Sequence, residues 1–128
     1  MLLLDTCTLL WLAADQAKLS RQATTLIVEH GDALFVSAIS AFEIGVKHRR
    51  GGLVLPMPVS SWIHAVLDFH AVVEIPVDCR IAAASTELPP LHNDPCDRMI
   101  VATARVHNLT IVTPDPLITQ YPDARVAW

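Results

Sequence analysis

The chain has 128 residues, which suits one domain, here expected to span residues 1–128. With 52% hydrophobic and only 17% charged residues, the composition supports a buried core and excludes a disordered chain. A net charge of −4 gives no whole-molecule attraction to nucleic acid, so a polyanionic partner needs a local basic patch or bound cations.

In chain order, "MLLLD" reads as a buried strand ending at Asp5, and "TCTLLWLAA" follows with apolar residues at helical spacing. "LSRQATTLIVEHG" is a helix with Ser20 as its N-cap, stopping near Gly31. "ALFVS" is a second strand. "SAFEIGVKHRRGG" is a helix, capped by Ser40 and ended by its glycines. After the Pro-broken connector "LVLPMP" come the helix "SSWIHAVLDFH" and a third strand, "AVVEIPV". The helix "DCRIAAASTEL" stops at Pro89-Pro90, and "DPCDRMIVATARVHN" is the strongest helix in the chain. The strand "LTIVT", a short helical turn in "PDPLITQY" and a last strand in "ARVAW" complete the chain.

Strands alternating with helices predict an α/β fold with a mainly parallel, roughly five-stranded sheet. Crossovers between parallel strands place helices on both faces, giving a three-layer α/β/α sandwich. In such sheets ligands sit beyond the carboxyl ends of the strands, so residues just after each strand carry the functional information.

Four acids fall on that edge. Asp5 follows the first strand, and Asp115 follows "TIVT" by one proline. Asp97 opens a helix, and Glu43 interrupts the apolar run "AFEIGV". Taken singly, each has a structural reading. Asp94-Pro95-Cys96-Asp97 fits an N-cap, a proline at N1 and an acid at N3. Glu43 has Lys47 four residues on, a surface ion-pair spacing. Asp115-Pro116 fits a turn, and Asp5 fits a cap. Taken together, four carboxylates at one edge repel unless a cation sits between them. Oxygen donors alone select a hard ion, Mg²⁺ or Mn²⁺. Such a site can orient a water, lower its pKa and neutralise charge on a phosphate, which is the chemistry of phosphodiester hydrolysis.

The stretches "LLLDTCTLLWLA", "VSAISAFEIGVKHRRGGLVLP", "HNDPCDRMIVATA" and "LTIVTPD" together resemble the PIN-domain nucleases, and among them the VapC-type toxins of bacterial toxin–antitoxin pairs. The resemblance covers nearly the whole chain, in order. It implies that Asp5, Glu43, Asp97 and Asp115 hold Mg²⁺ or Mn²⁺ and cleave RNA. Asp94 matches an acid often present in this subgroup, as a further ligand or only as a cap. Thr6 matches a hydroxyl residue beside the first acid and is expected to bind a metal water. The implied partner is a small antitoxin that covers the acidic groove, often with an arginine reaching the ligands. The chain departs from the pattern at Cys96, where an aromatic residue is usual, at Cys7, commonly histidine, and at Gly52, commonly lysine. None of these removes a carboxylate.

Lys47, His48, Arg49 and Arg50 concentrate a third of the lysines and arginines in four positions. They suit a helix C-terminus, and equally Lys47, Arg49 and Arg50 suit contacts to RNA phosphates. Arg98 adjoins Asp97 and is expected to steady a carboxylate or touch phosphate. His92 lies near the site but is given no role. Zinc is disfavoured, because His92 and Cys96 alone do not make a site. The cysteines, three in number and without paired spacing, read as reduced thiols of a cytoplasmic protein. No apolar run approaches the roughly 20 residues of a membrane span. "TLLWLAA" and "WIHAVL" are candidates for a homodimer or antitoxin face.

Rival readings fail on particular residues. A haloacid-dehalogenase phosphatase needs an acid where Cys7 stands, and a receiver domain needs adjacent acids after the first strand. The alternative that survives is a non-catalytic RNA- or protein-binding PIN domain.

Overall fold

The structure, a computed structural model, describes residues 1–128. Five strands form one sheet: β1 Leu2–Leu4, β2 Leu34–Ser37, β3 Val72–Ile75, β4 Thr110–Val112 and β5 Arg125–Ala127. Their order is β3-β2-β1-β4-β5, and every neighbouring pair is parallel. Seven helices connect them: α1 Thr6–Ala14, α2 Arg21–Glu29, α3 Ala38–Arg49, α4 Val59–His70, α5 Cys79–Glu87, α6 Pro95–His107 and α7 Pro116–Thr119.

The strands alternate their side chains between two cores, as a pleated chain must. Leu2, Leu4, Leu34, Val36 and Val112 face one side, with Leu9, Ala23, Ile44, Trp62 and Val66 from α1 to α4. Leu3 and Ile111 face the other, with Ile81, Ile100, Val101, Ile118 and Tyr121 from α5 to α7 and the chain beyond. Both faces are covered, which is why "MLLL" is apolar throughout. The three-layer parallel fold expected from the alternation is the fold observed. No helix is long and apolar enough to cross a membrane.

One expectation is corrected. Helix α3 starts three residues earlier than predicted: Ser37 Oγ, not Ser40, caps it by accepting from Ile39 N–H at 3.1 Å. Ser40 is buried inside the helix and bonds Thr6 Oγ1 at 2.9 Å. Either serine offers a capping oxygen, but "ALFVS" runs extended to Ser37, so the earlier one is reached first. The helix does end at its glycines. Gly51 takes φ +80°, and Gly52 N–H reaches back to Lys47 O at 2.9 Å.

Candidate active site

The parallel topology sends every strand toward one edge and starts the helices from that edge. Asp5 leaves β1 and caps α1, accepting from Thr8 N–H at 2.8 Å. Asp94 caps α6 through Cys96 N–H at 2.8 Å, with Pro95 in the first turn. Asp115 caps α7 through Leu117 N–H at 2.9 Å. A cap is worth about 1 kcal/mol, so each of these acids helps to fold the element that presents it. Glu43 is not a cap. It comes from the second turn of α3, which packs against α6.

Asp97 is where the segments meet. Its carboxylate shares a space of 4.8 Å with Glu43 and Asp94, and a second space of that size with His92 and Asp115. Burial, then the charges of Asp94, Glu43 and Asp115, push its pKa up to about 7, with His92 pulling the other way. The neighbouring Glu43 has one oxygen, Oε1, that is buried with no hydrogen-bond partner. Its Oε2 lies 3.7 Å from Lys47 Nζ. A buried carboxylate oxygen without a donor, beside a carboxyl that resists ionisation, is the arrangement that a cation would relieve.

Asp5 belongs to neither triplet. It is buried, accepting from Thr113 Oγ1 and from the Cys7 thiol at 3.3 Å. Thr113 Oγ1 in turn accepts from Asp115 N–H at 3.1 Å, so one hydroxyl ties the ends of β1 and β4 together. Burial pushes the Cys7 thiol up to about 12, with Asp5 adding to it, and the Cys96 thiol up to about 11, with Glu43 and Asp94 adding to it. Both thiols are therefore protonated at neutral pH and poor as nucleophiles or ligands.

The PIN domain family profile matches residues 2–123. The chain belongs to the PIN domain family. It is 37% identical over 114 residues to Ribonuclease VapC22 of Mycobacterium tuberculosis (strain ATCC 25618 / H37Rv), covering 88% of this chain and 85% of that protein. The DNA-bound VapBC complex from Salmonella typhimurium has a chain that superposes with a TM-score of 0.71 at 15% identity, covering 98% of this chain and 96% of its own. A toxin–antitoxin complex from Klebsiella pneumoniae matches with a TM-score of 0.67 at 21% identity, over 100% of this chain and 97% of that one. At these identities the solved structures speak for the shared fold.

Within this PIN domain the sequence-predicted acids divide. Glu43, Asp94, Asp97 and Asp115 converge, while Asp5 joins them through Thr113. The hydroxyl of Thr6, expected to bind a metal water, bonds Ser40 Oγ at 2.9 Å. Arg98, expected to steady a carboxylate or touch phosphate, makes no bond to a carboxylate. Its guanidinium donates to the carbonyls of Ser85, Leu88, Pro89 and His92 and to the Tyr121 hydroxyl, at 2.8–3.3 Å. Three of those five contacts, to Leu88, Pro89 and His92, hold the loop between α5 and α6. Lys47 takes the ion-pair position beside Glu43, and Arg49 and Arg50 stand exposed at the end of α3.

Sequence reasoning missed two residues. Thr113 sits at the carboxyl end of β4, the place singled out as informative, but it carries no charge to attract notice. His92 Nε2 lies 2.9 Å from Asp97 Oδ2 and 3.4 Å from Asp115 Oδ2. Its place in the chain, two residues before Asp94, marks it as near the site, but a metal-bound water can supply the nucleophile without an imidazole.

Proposed function

We propose that this chain is a divalent-metal-dependent endoribonuclease and the toxin of a toxin–antitoxin pair. The observation that carries the reading is the meeting at Asp97 of acids from separate segments, beside the unpartnered Glu43 Oε1. The ribonuclease name of the 37% identical relative supports RNA as substrate, and the toxin–antitoxin neighbours support a protein inhibitor.

Asp5, Glu43, Asp97 and Asp115 would hold the ion, with Asp94 contributing charge while capping α6. All the donors are oxygens, which fits Mg²⁺ or Mn²⁺. When bound, such an ion activates a water and neutralises charge that develops on the scissile phosphate. The chain's own part is to fix the carboxylates. Caps, Thr113 and the helix backbones hold them before any ion arrives. Lys47, Arg49 and Arg50 offer the local cations that a protein of net charge −4 needs to receive RNA. An antitoxin arginine pairing with Asp97 or Glu43 would exclude both ion and RNA. Leu9, Leu12, Trp62 and Val66 spend the apolar faces of α1 and α4 on the core, so a homodimer or antitoxin contact would use the half-buried Leu10, Trp11 and Ile63 beside them, and the pair works in the cytoplasm.

The test is expression of the chain alone in bacteria. Growth stops with the wild type and continues with Asp5→Ala. If both are harmless at equal soluble levels, the toxin reading fails and the binding-module reading replaces it.

A further inference from the structure

His92 stands among the acids with 11% of its side chain exposed, close to two carboxylates and to one backbone N–H. The backbone contact decides what the ring can do. Asp94 N–H donates to His92 Nδ1 at 3.2 Å, so Nδ1 must present a lone pair. In a neutral imidazole the proton then sits on Nε2. That nitrogen points at Asp97 Oδ2, 2.9 Å away, and at Asp115 Oδ2, 3.4 Å away. Both are acceptors. A ring with its proton on Nδ1 would set two donors against each other at Asp94 and two acceptors against each other at Asp97.

The loop that carries the ring is itself held. His92 O accepts from Arg98 Nη1 at 3.2 Å, and the same guanidinium binds the carbonyls of Leu88 and Pro89 just upstream. Arg98 lies one residue beyond Asp97 on α6. The helix that presents the carboxylate therefore also aims the imidazole at it.

We propose that His92 is a positioning residue: its Nε2–H holds the Asp97 and Asp115 carboxylates toward a common point, and the Asp94 N–H bars it from serving as a ligand. The consequence for Asp97 is a division of labour. Oδ2 is tied to the imidazole and Oδ1 is left for a cation. For Asp115, Oδ1 is tied to the α7 backbone and Oδ2 is steadied by the ring. The role in metal binding rests on the function proposed above; the tautomer does not.

Two measurements test this on the full chain. In the metal-free wild type, long-range proton–nitrogen NMR reads the His92 ring. The expected result is a ring with its proton on Nε2 and none on Nδ1; protonation at Nδ1 overturns the proposal. In calorimetry with Mn²⁺, His92→Leu, which removes the donor, weakens binding by about 10- to 100-fold. His92→Gln, which returns an N–H donor, restores most of it. Unchanged or tighter binding by His92→Leu overturns the positioning role. So does equal weakness of both variants together with imidazole nitrogen coupling in the electron spin echo of the Mn²⁺-loaded wild type, which would make His92 a ligand. A wild type that binds no Mn²⁺ but shows the expected tautomer sinks the metal reading of the site and the metal role of His92 with it. It leaves the imidazole–carboxylate bond standing.

Discussion

The environment of Asp97 opposes its charge, and that opposition is measurable. Its pKa is raised from 3.8 to about 7 by burial and by neighbouring acids. Between those values the folded protein binds a proton that the unfolded chain has released. Stability of the metal-free protein therefore falls as pH rises through this window, the reverse of the usual salt-bridged carboxylate. Asp97→Asn removes the effect. Melting curves from about pH 4 to about pH 8 should show the wild type losing ground to Asp97→Asn as pH rises, by up to several degrees. Parallel curves for the two proteins would contradict the burial argument. The acids themselves were legible because a charge at a strand end or helix start stands out in an apolar sequence. Thr113 and His92 were not, since a hydroxyl and an imidazole have too many ordinary uses for position alone to select them.

At the scale of elements, strands, helices and most caps followed from local pattern, because hydrophobic period and capping chemistry act within a few residues. What failed depended on contacts far along the chain. Ser40 looks like a cap until Thr6 claims its hydroxyl from 34 residues away. Arg98 looks like a site residue until the loop before α6 is folded. That loop contains Pro89-Pro90, and prolines bring carbonyls without N–H donors. The guanidinium supplies the missing donors. Arg98→Met should therefore lower stability by about 2 kcal/mol, since charge-assisted bonds to half-buried carbonyls are lost. Thermal melting checks this directly. A variant with unchanged melting but weakened RNA affinity would restore the phosphate-contact reading of Arg98.

For the whole molecule, alternation of apolar strands with amphipathic helices was enough to specify a parallel sheet covered on both faces. The same topology brings acids distant in sequence to one edge. It leaves an unusual electrostatic balance, an acidic cluster in a protein already at −4, which a bound cation would relieve and which RNA alone would avoid. The central claim is thus that this edge cleaves RNA only with a divalent ion in place. The direct measurement is incubation of total cellular RNA with the purified, partner-free chain, with and without Mg²⁺ or Mn²⁺. The account predicts discrete fragments with metal, none after chelation, and a loss of about 100-fold or more in Asp97→Asn. Cleavage that persists in chelator, or that survives Asp97→Asn at wild-type rate, would contradict it.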